Sequence, residues 1–238
     1  MTTLDPTLAH SRDVVPIDED GVRGFLHRCE KAEDGLVLTH GAGGDCNAPL
    51  SVTVANAFQA AGLWVLRYNL PFRQERRFGP PNRAKAAIDR AGLRKAAAFL
   101  RAMLPGDLYL GGHSYGGRQA SMLAADEPEL AQALLLLSYP LHPPDKPTQL
   151  RTAHFPLLKT PVVFVHGSDD PFGAISEMEA AISMIPAAKR MLVVEKAGHD
   201  LRRGRFDLGA MVAALAGEPE NTQGPQSRGK ERLSRRAA

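Results

Sequence analysis

The sequence predicts an open, doubly wound α/β fold: a mostly parallel sheet with helices on both faces. Three observations carry this. Six short apolar runs recur along the chain, continuous rather than alternating, as in strands buried on both faces. Each run stops at or near Gly, Pro or Asp, which end strands in loops. The segments between most of them carry apolar residues on a helical period and suit the crossovers that parallel strands require.

The elements follow in order. "VVPIDEDGVRGFLHRCE" reads as a less regular antiparallel pair at the sheet edge. The first buried run, Leu36–His40, ends in "GAGGD", and "PLSVTVANAFQAAG" is the helix after it. Trp64–Leu70 is the next strand and stops before Pro71. "NRAKAAIDRAGLRKAAAFLRAML" is the clearest helix, with arginines and lysines on its polar face. A strand at Leu108–Gly111 runs through a glycine-rich turn into a helix from about Tyr115. Strands at Ala133–Tyr139, Val162–Gly167 and Arg190–Gly198 follow, with helices at "GAISEMEAAISMI" and "RFDLGAMVAALAG". The stretch Tyr139–Pro161 is short and rich in proline, so a lid over the sheet should be minimal or absent.

Composition bounds the rest. With 238 residues, 44% of them hydrophobic, the chain suits one domain with a sizeable core. The expected division is an N-terminal extension over 1–21, a folded domain over 22–217 and a disordered basic tail over 218–238. That tail is polar and has almost no large apolar residues to bury. A net charge of +3 with no basic stripe gives no reason to expect nucleic acid. The longest apolar run, "ALLLLSYPL", is too short for a bilayer, and the N-terminus lacks the pattern of a signal peptide. A cytoplasmic location without membrane attachment is expected. Two cysteines, Cys29 and Cys46, form neither a disulfide framework nor a metal spacing, and neither a metal nor an organic cofactor is expected.

The turn "GGHSYGG" contains Gly112-His113-Ser114-Tyr115-Gly116, a G-x-S-x-G sequence at a strand-to-helix junction. That context makes it a nucleophile elbow with Ser114 as nucleophile. A phosphate-binding turn is excluded, since no Lys-Ser or Lys-Thr pair follows and the dinucleotide glycine spacing is absent. A serine hydroxyl needs a base, and in such sheets the order along the chain is serine, acid, histidine. "VVFVHGSDDPFG" offers Asp169 and Asp170 just past a late strand, and only His199 lies beyond them. Asp170, before Pro171, is the preferred acid, with Asp169 as the alternative. An oxyanion hole is expected from the backbone amides of Ala42, in "HGAGGD", and of Tyr115. Gly41 and Gly43 would let the backbone approach a substrate closely. Arg73, Arg76 and Arg77 follow a strand end. They either hold a substrate carboxylate or phosphate, or form a solvated loop. Arg118 either anchors the Asp170 loop or Asp45, or is exposed. His40 is expected to brace the glycine loop, and Cys46 to fill a packing position.

Together these stretches resemble the α/β-hydrolase superfamily. "HGAGGDCNAP", "RYNLPFRQERRFGPP", "GGHSYGGR" and the segment from Leu137 to Gly173 are similar to a narrower, compact hydrolase-like family. It groups bacterial proteins with a testis-expressed protein and a subunit of the NSL histone-acetyltransferase complex. Dienelactone-hydrolase-like proteins are looser relatives. The resemblance spans Val22–Gly217 and implies the same triad of Ser114, Asp170 and His199. It implies no known substrate, and some eukaryotic members act as complex subunits. One departure is His113, where many relatives carry arginine. The expected activity is hydrolysis of a small ester, thioester or lactone; the alternative is a non-catalytic scaffold.

Overall fold

The computed structural model describes residues 13–217; the first residues and the expected tail at 218–238 lie outside the described residues. The sheet has eight strands: β1 (Val14–Glu19), β2 (Val22–His27), β3 (Gly35–Thr39), β4 (Trp64–Tyr68), β5 (Leu108–His113), β6 (Ala133–Leu137), β7 (Val162–Gly167) and β8 (Lys189–Val194). Their spatial order is β1-β2-β4-β3-β5-β6-β7-β8. The β1–β2 and β2–β4 pairs are antiparallel, and every other pair is parallel. Among the described residues five α-helices lie between the strands, α1 (Pro49–Ala60), α2 (Pro71–Glu75), α3 (Ala86–Arg101), α4 (Tyr115–Asp126) and α5 (Ile175–Ile182), and α6 (Leu208–Leu215) follows β8.

The continuous apolar runs have a direct physical cause, since alternate residues of each strand serve two separate cores. Val37, Leu110, Leu134, Leu136 and Phe164 face α3, α4 and α5. Leu36, Leu38, Leu135, Leu137 and Val165 face α1 and α6. Leu93, Ala96, Ala97 and Leu100 of α3 are all fully buried on the first side, and Val54, Ala55 and Phe58 of α1 on the second.

The edge hairpin corrects one expectation. The sheet begins at Val14, so a boundary at residue 22 cuts through a β-hairpin whose register pairs Glu19 with Val22. Asp20 and Gly21 close it with φ of 48° and 80°, the left-handed pair that an Asp-Gly hairpin turn adopts. β1 reads as polar because only Val15 and Ile17 pack on the core; its ladder comes from β2.

The segment between β6 and β7 contains a single 3₁₀ turn, Phe155–Leu157, and no α-helix, so no helical lid covers the strand ends. The short helix α2 stands where the sequence suggested a loop: Pro71 occupies its first turn, where a missing N–H costs nothing. Among the described residues, no helix is long and apolar enough to cross a membrane.

Candidate active site

Strand β5 delivers Ser114 into a conformation that few side chains tolerate, with φ 51° and ψ −115°. A Cβ at Gly112 would approach the Gly117 nitrogen to 2.8 Å, and one at Gly116 the His40 carbonyl to 2.6 Å. Both flanking glycines are therefore steric necessities of the turn. The Ser114 amide donates to Leu137 O at 2.8 Å, and the Ser114 carbonyl accepts from the Arg118 amide at 3.0 Å, which locks the serine to β6 and to the first turn of α4.

The loops after β7 and β8 bring two more side chains to this point. Ser114 Oγ lies 2.8 Å from His199 Nε2. His199 Nδ1 lies 3.0 and 2.8 Å from the two carboxylate oxygens of Asp170. The Asp170 side chain is fully buried, and the Phe172 amide donates to its Oδ1 at 2.9 Å. A buried carboxylate on Nδ1–H leaves the Nε2 lone pair facing the serine hydroxyl. The neighbouring Asp169 is exposed and accepts from the Ser168 hydroxyl at 3.0 Å. Of the two candidate acids, only Asp170 reaches His199.

His199 is held from two further sides that the sequence did not flag. The Phe172 ring lies on its imidazole, with centroids 4.1 Å apart. His113 Nε2–H donates to the His199 carbonyl at 2.7 Å, and the two rings are 5.1 Å apart. Burial holds the His113 pKa down at about 4, so His113 is a neutral donor. The departure from arginine at this position puts a loop brace beside the nucleophile.

The loop after β3 supplies the other wall. Ala42 and Tyr115 line one cleft together with Ser114. Among the described residues, neither amide is bonded to a protein acceptor, so both donors are free. Gly41 and Gly43 line the adjoining cleft. His40 fixes the start of this loop: its Nδ1–H donates to Gly41 O at 2.9 Å, and its Nε2 accepts the Leu70 amide at 3.2 Å. Burial again holds its pKa at about 4, in keeping with a neutral ring in that tautomer. Cys46 is buried, with its thiol pushed up to about 11, and serves packing.

Arg73 is placed differently from the substrate-binding expectation. Its Nε donates to Gly44 O at 2.8 Å, and its Nη2 to Ala42 O and Gly79 O at 2.9 and 3.1 Å. Nη1 donates to Arg76 O and Arg77 O at 3.2 and 2.7 Å. The guanidinium thus stitches the glycine loop to the loop after α2 and lines neither cleft at Ser114. Arg118 likewise forms no ion pair with Asp170 or Asp45. A further network joins Tyr115 to Asp89 of α3: the phenol donates to Oδ2 at 2.7 Å and the Phe72 amide to Oδ1 at 3.0 Å. Asp89 lies one helical turn before Leu93 on the core-facing stripe of α3, and a carboxylate at a core position was the available signal.

Ser114 stands where two clefts meet. One, of about 500 Å³, runs toward Pro140 and Arg151; the other, of about 420 Å³, runs along the glycine loop toward Asp200 and Arg202. Among the described residues, no group of three or more His, Cys, Asp or Glu is placed to hold a metal.

A serine on a strained strand-to-helix turn, at the carboxyl edge of a sheet with this strand order, defines the α/β-hydrolase class. Residues 32–211 match the family described as alpha/beta hydrolase domain, and the chain belongs to it. A dienelactone hydrolase from Anabaena variabilis superposes with a TM-score of 0.68 at 23% identity, over 86% of this chain and 95% of that one. An α/β serine hydrolase without lid from Xanthomonas campestris gives 0.67 at 18% identity, over 91% and 95%. Est1E from Butyrivibrio proteoclasticus gives 0.65 at 16%, over 86% and 96%. At these identities the likeness speaks for the fold, and the lid-less member shares the bare strand ends described above.

Proposed function

We propose that the chain is a serine hydrolase that cleaves a small ester, thioester or lactone through an acyl-serine intermediate. The observation that carries this reading is the continuous contact from Asp170 through His199 to Ser114. His199 Nε2 takes the hydroxyl proton as Ser114 Oγ attacks the carbonyl carbon. The carbonyl oxygen gains the electron pair and accepts from the free amides of Ala42 and Tyr115, each such donor worth about 3 kcal/mol of barrier. The intermediate collapses, the leaving oxygen or sulfur takes the proton from His199, and the acyl group stays on Ser114. Water then repeats the sequence and releases the acid. Asp170 keeps the proton of the resting ring on Nδ1 and stabilises the transient imidazolium.

A fluorophosphonate probe followed by peptide mass spectrometry tests the reading. Labelling is expected at Ser114, lost in Ser114→Ala and strongly weakened in His199→Ala. Folded protein that takes no label at Ser114 and turns over no ester would instead be a scaffold.

A further inference from the structure

The larger of the two clefts at Ser114 is lined by Arg83, Arg118 and Arg151. Among the described residues, none of the three forms an ion pair with a carboxylate. Other arginines around the site are satisfied. Arg202, in the second cleft, pairs with Asp200 at 3.4 Å, and Arg73 donates to five backbone carbonyls. The Asp89 carboxylate, close by on Tyr115, has both oxygens engaged by Tyr115 and Phe72.

Arg118 is the most exacting of the three. Its amide bonds to the Ser114 carbonyl, which puts it one helical turn from the nucleophile. Its Nε is buried and has no hydrogen-bond partner. A buried charged donor left unmatched is costly and uncommon in a folded protein. Around it stand Arg151, which donates to Pro140 O at 3.2 Å, and the Tyr139 hydroxyl, which donates to Arg151 O at 2.6 Å. Burial first, then the charges of Arg118 and Arg83, push the Arg151 guanidinium below its ordinary pKa. Burial, with Arg118 and Arg90 behind it, holds the nearby His154 at about 4, hence neutral. Positive charge is thus concentrated beside the nucleophile without a counter-charge from the protein.

We infer that this cleft receives an oxyanionic group of the substrate, a carboxylate or a phosphate, with Arg118 and Arg151 as its direct ligands and Arg83 at the mouth. The planar guanidinium fork of an arginine matches the two oxygens of such a group. This inference rests on the acyl-serine reading and names its substrate class: esters that carry a negative charge a short chain away from the scissile carbonyl.

The test compares p-nitrophenyl esters of equal acyl-chain length that end in carboxylate, phosphonate or neutral carboxamide. kcat/KM for one anionic ester is expected to exceed that for the carboxamide by about tenfold or more at low salt, and the ratio should shrink as ionic strength rises. The better of the two anions identifies the group. Arg118→Gln and Arg151→Gln should each collapse the ratio several-fold, Arg118→Lys should retain part of it, and Lys159→Gln, a charge loss remote from the cleft, should keep it. A second measurement needs no turnover: glutarate or inorganic phosphate should raise the unfolding temperature of the intact chain, glutaramide should not, and Arg118→Gln should abolish the shift. A ratio near one in the intact chain, or one unchanged in both glutamine variants, overturns the inference even where Ser114 is labelled. Failure of labelling with a persistent anion shift overturns the acyl-serine reading instead.

Discussion

The hydroxyl of Ser114 and the imidazole of His199 are separated by 85 positions in the chain and by 2.8 Å in space. Ser114→Ala and His199→Ala are each expected to lower kcat for a p-nitrophenyl ester by about 10³-fold or more. Urea unfolding should change little in either variant, since both side chains face a cleft rather than a core. Retention of most of the turnover by Ser114→Ala would place the chemistry elsewhere.

Asp170 and Asp169 are adjacent in sequence and opposite in environment. Asp170→Asn keeps the shape but offers an amide where His199 Nδ1–H needs an acceptor, so kcat should fall by up to about 10⁴-fold. Asp169→Asn, at an exposed side chain bonded only locally, should stay within a few-fold. Initial rates of the two purified variants against the same ester decide; the reverse ranking would reject Asp170 as the acid.

His113 acts through His199 rather than on substrate, which makes it a positioning residue. Its hydrogen bond to the His199 carbonyl fixes the backbone that carries the base. His113→Ala should lower kcat about tenfold, with the smaller change in KM, because a loosened base is misaligned. His113→Gln, whose amide N–H reaches about as far as Nε2, should recover most of the loss. Equal damage in both variants would mean a packing role only.

Arg73 holds the glycine loop through backbone carbonyls on both of its sides. Arg73→Ala leaves those acceptors unmatched and should cost about 2–4 kcal/mol in urea unfolding. Lysine has no planar fork and should rescue little of it. A variant as stable as the parent would show that water replaces the guanidinium without loss.

Three histidines, one buried and two largely withdrawn from water, give the stability a pH dependence of known sign. His40, His113 and His154 are all held at about 4 by burial, against an unfolded value near 6.5. The unfolded chain therefore binds more protons in that interval. Stability is full above about pH 6.5 and falls progressively as the pH drops toward 4, each histidine adding a slope of up to about 1.4 kcal/mol per pH unit. His154→Gln should flatten the curve measured by urea unfolding between pH 7 and 4. An unchanged slope would mean that His154 is protonated in the folded state.

Much of this was legible in the residues, for identifiable reasons. Strands buried on both faces must be apolar at every position, so β3, β6 and β7 announced themselves. Ser114 was legible because the two glycines around it have no other use at a strand end, and His199 because no later histidine exists. Side-chain direction was not legible. Arg73 and Arg118 are both arginines beside strand ends, yet one is consumed by carbonyls and the other faces a cleft. Sequence spacing carries no information on that difference: Arg73 lies where the loops after β3 and β4 cross, and Arg118 on the first turn of α4. The antiparallel edge pair was legible, but the expected boundary at residue 22 fell inside it, because β1 has little apolar content and pairing, not burial, orders it. Phe172 and Asp89 were missed because no motif marks them: a ring stacked on His199 and a carboxylate under the Tyr115 phenol are set by packing alone.

Pro80, Pro81, Pro140 and Pro143 all stand on the wall of the larger cleft. A proline ring fixes φ in the unfolded chain as well as in the folded one, so this rim has little conformational entropy left to lose when a ligand arrives. Association there carries a small ordering penalty, and selectivity falls to contour and to enthalpic contacts instead.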